Sequence, residues 1–425
     1  MAIRTGAIDR CLWSDPASAP APRDSAPLPD RVEVAVVGGG YTGLAAALAL
    51  ARRGARVAVL ERHRIGWGAS GRNVGFVLPG FQAGLAELTA RLGEERARRL
   101  WGMSVEAVEC LERLIAAEAI ACNWSRCGSV VLAARPAHLA RLDEERRCLA
   151  RVAGHQTELL GPSEIGREIG SGVYHGGLVD RTAGALHPAR YCAGLAAAAE
   201  RAGAALHEGA EVVRIRRRGD GHEVQTSRGG LPASEVLVAT DGYTGVPFGR
   251  LRRGVVPVGS YMVATAPLGP ELAARLVPGG RVLSDTRRLL HYFRLSPDRR
   301  MVFGGRAAMV PLGTPRAARA LGRAMRERFP ALAATPVDYA WSGSVGFTRD
   351  RLPHAGRSDG VYYALGYCGH GVALATWLGG RMAAAIAGTE ELPELGPLPA
   401  IPLYGGRPWF LPLVDAYYRV CDRLG

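Results

Sequence analysis

A glycine-rich turn between an apolar strand and a helix restricts the fold of this chain more than any other feature. Residues 32–37 are mostly apolar, as in a buried strand, and residues 38–43 read Gly-Gly-Gly-Tyr-Thr-Gly. Apolar residues then recur at helical spacing, and a second strand at residues 56–60 ends at Glu61, 23 positions after Gly38. This order predicts a dinucleotide-binding site rather than a glycine turn in an unrelated α/β protein.

Each glycine of the turn has its own role in such a site. Gly38 permits the tight turn, Gly40 lets the backbone approach a pyrophosphate, and Gly43 allows close helix packing. The helix N-terminus adds N–H donors and partial positive charge. Glu61 would accept hydrogen bonds from a ribose 2′-hydroxyl and would repel a 2′-phosphate. Cofactor contacts are also expected from three neighbouring residues: Tyr41, Thr42 and Arg62.

A second segment of small residues follows the second strand. Residues 68–71 are Gly, Ala, Ser and Gly, so the backbone can lie against a further length of cofactor. Ser70 would supply a hydroxyl partner, and Arg72 and Asn73 would reach onward. Residues 361–387 repeat the order of strand, glycine loop and apolar helix. A solvent-exposed loop and a plain strand-to-helix turn are the respective alternatives.

The absence of lysine excludes several classes of enzyme. All 53 basic residues are arginine, so the chain can form neither a lysine Schiff base nor a P-loop. The net charge of +14 comes from scattered arginines, which are interpreted as a solvated surface without a nucleic-acid partner. The eight cysteines lack zinc-binding spacing, so we expect no metal site and a reducing, cytoplasmic location. Neither a signal peptide nor a membrane span is expected.

Changes of pattern along the chain predict an α/β protein of two interleaved domains. The nucleotide-binding domain is assigned to residues 31–80, 151–250 and 335–390. Residues 81–150 are largely helical in pattern, and residues 251–334 change to the period of two that is typical of strands. These two segments are assigned to a second domain built on an antiparallel sheet.

The two ends of the chain are predicted to lie outside these domains. Residues 1–30 are rich in Ala and Pro and are interpreted as an arm on the surface. The tail at residues 391–425 ends in a short amphipathic helix. Its Leu413, Tyr417 and Val420 share one face, which we expect to pack on the body of the protein.

Together these segments resemble the D-amino acid oxidase and glycine oxidase superfamily of FAD-dependent amine oxidoreductases. Residues 68–73 and 366–371 are most similar to the gamma-glutamylputrescine oxidase branch. The similarity extends to the tail and includes residues 292–294, 303–305, 341–343 and 348–353. The resemblance implies a Rossmann-like FAD-binding domain interleaved with an antiparallel-sheet substrate domain, the D-amino acid oxidase or glutathione reductase-2 type of fold.

The resemblance also implies where FAD would be bound. The glycine turn would contact the pyrophosphate, Glu61 the adenosine ribose, and the backbone of Val212 the adenine. The N-terminus of the helix after residue 371 would stabilise negative charge on the reduced flavin. The remaining residues expected at the ribityl chain or the flavin ring are Ala69, Ser70, Arg72, Asn73, Gly366, Gly369, His370 and Gly371.

Covalent attachment of FAD is not expected. Sarcosine-oxidase-like relatives carry a cysteine in the stretch that corresponds to residues 343–347, which contain none here. Dimethylglycine-dehydrogenase-like relatives carry a histidine where this chain has Gly68. The resemblance therefore favours a dissociable cofactor, and Cys368 is the one remaining candidate for covalent attachment.

Substrate would lie between the flavin and the antiparallel sheet. Because neighbours on a strand alternate between the two faces, only about half of the candidates should reach it. Arg294 could clamp a carboxylate, with a surface arginine as the alternative. The side chains considered are Arg72, Tyr261, His291, Tyr292, Arg294, Arg306 and Trp341.

The expected reaction is oxidation of the CH–NH bond of an amine or amino acid by hydride transfer to FAD, with O₂ as acceptor and H₂O₂ as product. Sarcosine-oxidase-like relatives place a lysine near the flavin to promote the reaction with oxygen. Without lysine, we expect His370, or a nearby arginine such as Arg72, to supply that cation. The alternatives are another electron acceptor, a flavin monooxygenase that uses NAD(P)H, and an FAD-binding subunit that needs a partner.

Overall fold

The residues that the structure describes form two eight-stranded sheets and one two-stranded ribbon. The structure is a computed structural model and describes residues 3–14, 26–305 and 312–424. The strands are β1 Val32–Val37, β2 Val57–Leu60, β3 Phe76–Val77, β4 Ser129–Leu132, β5 Glu158–Leu160, β6 Gly177–Asp180, β7 Gly184–Ala185, β8 Ala205–His207, β9 Val212–Arg218, β10 Gly221–Thr226, β11 Gly229–Val238, β12 Val256–Thr265, β13 Val282–Asp285, β14 His291–Leu295, β15 Met301–Gly305, β16 Val337–Phe347, β17 His354–Ser358 and β18 Val361–Leu365. The α-helices are α1 Tyr41–Ala51, α2 Ala69–Arg72, α3 Leu85–Leu92, α4 Glu94–Ala117, α5 Pro136–Ala153, α6 Pro188–Arg201, α7 Gly249–Arg252, α8 Pro270–Leu276, α9 Thr314–Arg328, α10 Gly371–Ile386 and α11 Leu411–Leu424.

The first sheet places the predicted glycine turn near its centre. Its strand order is β17-β18-β11-β1-β2-β8, and β9 and β10 extend from β11. The strand β1 pairs in parallel with β11 on one side and with β2 on the other. The carboxyl end of β1, where the chain turns into α1, is therefore a switch point in strand order, and open α/β sheets bind ligands at such points.

The second sheet has the order β16-β12-β15-β14-β13-β4-β6-β5 and takes strands from more of the chain than the sequence predicted. The strands β5 and β6 come from residues 151–250, and β16 comes from residues 335–390, both assigned above to the nucleotide-binding domain. Those boundaries need correction. Pairing between distant strands decides sheet membership, as when β16 pairs with β12 along the whole length of that strand, and local periodicity does not report such pairing.

Residues 3–14 are not an arm on the surface. Ile3 and Ile8 form bridges to β16, and the side chain of Trp13 is 1% exposed. The rings of Trp13 and Trp341 meet edge to face with their centroids 6.3 Å apart. The apolar residues of this segment are few and irregularly spaced, so they give no periodic signal.

The C-terminal helix α11 packs on the body through a different face from the one predicted. Leu413, Tyr417 and Val420 are 67%, 58% and 49% exposed. The contacts to the second sheet are made by the neighbouring residues Leu411, Val414 and Tyr418. Among the described residues, no helix has the length and apolar character needed to cross a membrane.

Candidate active site

A cavity of about 750 Å³ connects the glycine turn of the first sheet with one face of the second sheet. Its walls come from the carboxyl ends of β1, β2 and β11, from α2, and from the loop before α10. On the opposite side they come from strands of the second sheet, including β12, β14 and β16. Residues far apart in the sequence thus line one cavity, and most of the predicted cofactor residues lie on it.

The glycine turn is packed too tightly to accept side chains. Gly38 has φ +109°, and a Cβ there would lie 2.7 Å from the carbonyl oxygen of Ala239. A Cβ on Gly43 would overlap the carbonyl oxygen of Gly38. Gly40 lines the cavity, whereas Gly43 lies beneath the turn and does not. Gly43, which the sequence predicted to contact the cofactor, is therefore not exposed to the cavity, and the absence of its side chain lets the turn close.

Glu61 braces this turn from the end of β2. Its carboxylate accepts hydrogen bonds from the backbone N–H groups of Gly39, at 2.9 Å, and His63, at 2.8 Å. It also lines the cavity, as do Arg62 and Val212. The carboxylate is thus held in a fixed position where a polar ligand group can reach it.

The side chains of Tyr41 and Thr42 bind protein groups at the start of α1. The hydroxyl of Tyr41 donates to the carbonyl oxygen of Pro188 at 3.2 Å. The hydroxyl oxygens of Thr42 and Tyr367 lie 2.6 Å apart. Both residues line the cavity, and the second contact fixes α1 against the loop that precedes α10.

The α2 segment is held to α1 by its predicted polar residues. The Ser70 hydroxyl accepts a hydrogen bond from the backbone N–H of Tyr41 at 3.0 Å. The Asn73 amide donates to the carbonyl oxygens of Ala69 and Ser70, each at 3.0 Å. Ala69, Ser70 and Asn73 line the cavity, but these hydrogen bonds position the wall itself.

Arg72 joins α2 to the second sheet. Its Nε donates to the carbonyl oxygen of Trp67 at 2.6 Å, and Nη1 donates to that of Ser342 at 3.2 Å. The guanidinium lies over the Trp67 ring, 4.7 Å from its centroid. In return, the indole N–H of Trp341 donates to the carbonyl oxygen of Arg72 at 2.8 Å. Arg72 and Trp341 both line the cavity and fix the separation of its two walls.

The loop before α10 presents Cys368, Gly369, His370 and Gly371 to the cavity, and Gly366 lies behind them. Gly366 donates its N–H to a buried carboxylate at 2.8 Å. The Cys368 thiol is 1% exposed and hydrogen-bonds with Thr348, and burial raises its pKa to about 11. This thiol is therefore protonated and weakly nucleophilic near neutral pH.

The buried carboxylate belongs to Asp241, which the sequence reasoning missed. Besides Gly366, the backbone N–H groups of Tyr367 and Gly346 donate to it, at 3.4 and 3.3 Å. Burial raises the pKa of Asp241, and these N–H donors oppose the rise. Asp241 ties β11, β16 and the loop before α10 together at the cavity wall. Its position just beyond a parallel strand, at the ligand-binding edge, is the signal that identifies it.

The sheet face of the cavity is built around Tyr292. In cross-strand pairing, Tyr292 lies opposite Gly304, Gly304 opposite Met262, and Met262 opposite Trp341. A Cβ on Gly304 would lie 2.6 Å from Cζ of the Tyr292 ring, so the glycine lets the ring lie across β15. The ring ends at the hydroxyl of Ser260, with which Tyr292 hydrogen-bonds.

Several residues expected at the substrate do not line the cavity. Tyr261 points into the opposite core, where its hydroxyl accepts the N–H of Leu312, because it alternates with Met262. His291 lies against Asp285, 3.2 Å from its carboxylate. Arg306 is outside the described residues.

Arg294 is on the same face as Tyr292 but is covered by the N-terminal segment. Its guanidinium lies 5.4 Å from the ring centroid of Trp13, and the side chain is buried. Burial lowers the pKa of Arg294 to about 10. A segment distant in sequence thus removes Arg294 from the cavity wall, although Arg294 shares a strand face with Tyr292.

Comparisons with known proteins agree with this architecture. Residues 33–385 match a family model described as FAD dependent oxidoreductase. The probable oxidoreductase OrdL of Haemophilus influenzae is 35% identical over 390 residues, which cover 89% of this chain and 88% of that protein. The gamma-glutamylputrescine oxidoreductase of Escherichia coli is 35% identical over 400 residues, which cover 92% and 93%. The crystal structure of glycine oxidase from Geobacillus kaustophilus has the same fold, with a TM-score of 0.74 at 22% identity over 89% of this chain and 100% of that chain.

Proposed function

The chain belongs to the FAD dependent oxidoreductase family, as its motifs predicted, and on this premise we propose that it oxidises the CH–NH bond of an amine or amino acid to an imine, with O₂ as acceptor and H₂O₂ as product. The observation that carries the proposal is the single cavity that joins the glycine turn to Tyr292 and Trp341. A cofactor bound at the turn and a small molecule on the sheet face would share this space. We also propose a cytoplasmic location and no nucleic-acid partner.

The residues on the side of the cavity formed by the first sheet fit FAD. Residues 38–40 present backbone rather than side chains to the cavity, and α1 begins there with its N–H groups. The fixed carboxylate of Glu61 suits a ribose hydroxyl, and His370 and Gly371 at the start of α10 suit the polar edge of a flavin. When bound, FAD supplies the acceptor for the substrate hydride. The protonated, buried thiol of Cys368 supports a dissociable cofactor.

The residues on the side of the cavity formed by the second sheet would orient the substrate and exclude water. Tyr292 and Trp341 offer broad apolar surfaces, and each is fixed by a hydrogen bond through its polar atom. A side chain held in this way keeps the amine carbon in one position, and such positioning contributes strongly to catalysis. Hydride transfer from this carbon needs no protein group that takes a proton from it.

We assign oxygen activation to His370 rather than to Arg72. The Arg72 guanidinium is already held by two carbonyl oxygens and the Trp67 ring. His370 lines the cavity at the start of α10, where a protonated imidazole would stabilise developing superoxide.

Two measurements on the FAD-loaded protein test these proposals. Anaerobic mixing with a panel of amines and amino acids should bleach the flavin absorbance for at least one compound. Bleaching by NADPH instead would favour the monooxygenase, and no bleaching would favour a subunit that needs a partner. Stopped-flow reoxidation between pH 6 and 9 should be slowed by His370→Ala. Equal rates would remove His370 from this role, and wild-type reoxidation over minutes would indicate a dehydrogenase.

A further inference from the structure

We propose that the outer side of α11 and the turn before it dock on a membrane surface that carries anionic lipids. The proposal goes beyond amine oxidation and does not depend on it. We call this region the tail surface. Its large exposed apolar residues are Leu403, Trp409, Leu413, Tyr417 and Val420.

The helix α11 has apolar residues on both of its long sides. The inner side packs on the second sheet, as described above. The outer side is exposed, and its residues are Pro412, Leu413, Ala416, Tyr417, Arg419 and Val420. A helix that is apolar all round is normally buried, and large exposed apolar patches mark binding sites for proteins or membranes. A partner is therefore expected on the outer side.

The turn before α11 holds two more large side chains outward. Leu403 is 87% exposed and has φ +57°, a backbone conformation that is strained for leucine. Its carbonyl oxygen accepts the indole N–H of Trp409 at 3.1 Å, and Trp409 is 60% exposed. Because the polar atom of the indole is already bonded within the protein, the exposed part of this ring is apolar. Backbone strain often occurs at functional sites, and the function assigned to it here is the presentation of apolar groups to a partner.

Arginines flank the tail surface. The guanidinium of Arg288 lies 5.9 Å from the ring centroid of Tyr417, at one edge of the outer side of α11. With about 3.6 residues per turn, Arg419 lies at the opposite edge. Arg407 precedes Trp409, and all three arginines are exposed. Cationic side chains beside apolar and aromatic ones are typical of helices that lie at the surface of an anionic membrane.

The acidic residues of the tail face inward. After residue 400 the sequence contains only two, Asp415 and Asp422. The carboxylate of Asp415 lies 2.7 Å from Nε of Arg419, and its side chain is 13% exposed. The carboxylate of Asp422 accepts the backbone N–H groups of Arg288 and Leu289, at 2.9 and 3.0 Å. Negative charge is thus kept away from the outer side of the helix, where it would repel anionic lipids.

A second copy of the chain fits the tail surface less well than a membrane does. In a two-fold dimer this surface would face itself, so arginines would meet arginines without an exposed acid to complement them. Anionic headgroups supply the opposite charge, and the boundary below them accepts leucine, tryptophan and tyrosine side chains. The net charge of +14 adds attraction at longer range. Charge complementarity therefore favours the membrane.

The test mixes the FAD-loaded whole chain with vesicles of phosphatidylcholine alone or with added phosphatidylglycerol, and sedimentation gives the bound fraction. We expect an apparent affinity at least about tenfold higher for the anionic vesicles, which falls as the ionic strength rises from about 0.1 to about 0.5 M. Equal binding to both vesicles, or binding to neither, would overturn the proposal. None of these outcomes depends on amine oxidation, which flavin bleaching measures separately.

Apolar substitutions assign the binding to the tail surface. Leu413→Gln combined with Tyr417→Gln should weaken binding to anionic vesicles by at least about tenfold. The control combines Val173→Gln with Val213→Gln, which alter exposed valines elsewhere. An equal loss in both pairs would refute the assignment. A wild-type dimer in light scattering that becomes a monomer in the Leu413 and Tyr417 pair would assign the surface to a second copy and overturn the proposal.

Charge substitutions test the anionic preference. Arg288→Gln combined with Arg407→Gln should weaken binding to anionic vesicles by about tenfold and leave binding to neutral vesicles unchanged. Arg319→Gln with Arg323→Gln is the matched control, because it removes the same charge from exposed positions on α9. All variants should keep the wild-type FAD content and thermal unfolding midpoint, since every altered side chain is exposed. Equal losses in the two arginine pairs would attribute the binding to net charge and refute a role for the tail surface.

Discussion

Replacement of Gly304 by alanine should slow flavin reduction without weakening cofactor binding. An added Cβ would lie 2.6 Å from Cζ of the Tyr292 ring, whereas carbon atoms pack at about 3.5 Å or more. Because Cε2 of the ring lies nearer still, the ring must move by at least roughly 1 Å, which would lengthen or break its hydrogen bond to Ser260. A displacement of this size at a substrate-positioning group can reduce the rate by about 100-fold.

The assay is the limiting rate of anaerobic flavin bleaching with the best substrate, measured beside the Kd for FAD. Ser260→Ala is the control, because it removes only the hydrogen bond of Tyr292 and should have a smaller effect. FAD affinity should stay unchanged, since Gly304 belongs to the second sheet and does not line the cavity. A bleaching rate within about threefold of wild type would refute the positioning role of the Tyr292 ring, and a large loss of FAD affinity would show that the fold itself is disturbed.

Three further outcomes are expected. Glu61→Ala should weaken FAD binding by about 1–3 kcal/mol, the scale of charged hydrogen bonds, in a titration of the apoprotein followed by flavin fluorescence; an unchanged Kd would place the ribose contact elsewhere. Acid precipitation of wild type and of Cys368→Ala should release intact FAD, because burial raises the pKa of that thiol to about 11; yellow pellets would contradict a dissociable cofactor. Burial lowers the pKa of His187 from 6.5 to about 4. Near pH 5 this histidine is therefore protonated in the unfolded chain and neutral in the folded chain, and the free energy of unfolding should fall by about 2 kcal/mol between pH 7 and 5. His187→Asn, which keeps an acceptor for the N–H of Arg190, should remove that part of the slope in urea unfolding, and an identical pH profile would exclude the effect.

The sequence by itself determined the cofactor side of this protein. The glycine turn at residues 38–43 and the acid at Glu61 lie within one continuous strand, helix and strand unit. Their geometry follows from local spacing, because only glycine fits the close approaches at Gly38 and Gly43. The segment at residues 68–73 is likewise close in sequence, and most of its predicted residues lie on the cavity. Constraints between residues this close in the sequence can be recognised from the order of residue types alone.

The tertiary structure alone decided what faces the substrate region. Strand periodicity places Tyr292 and Arg294 on one face of their strand, but it gives no sign that Trp13 covers Arg294, because that contact joins residues 281 positions apart. The carboxylate of Asp241 gains its N–H donors from β16 and the loop before α10, and Glu145 on α5 accepts the backbone N–H groups of Leu85 and Ala86 at the start of α3. Such contacts depend on long-range strand pairing and helix packing, to which residues near in sequence contribute no signal.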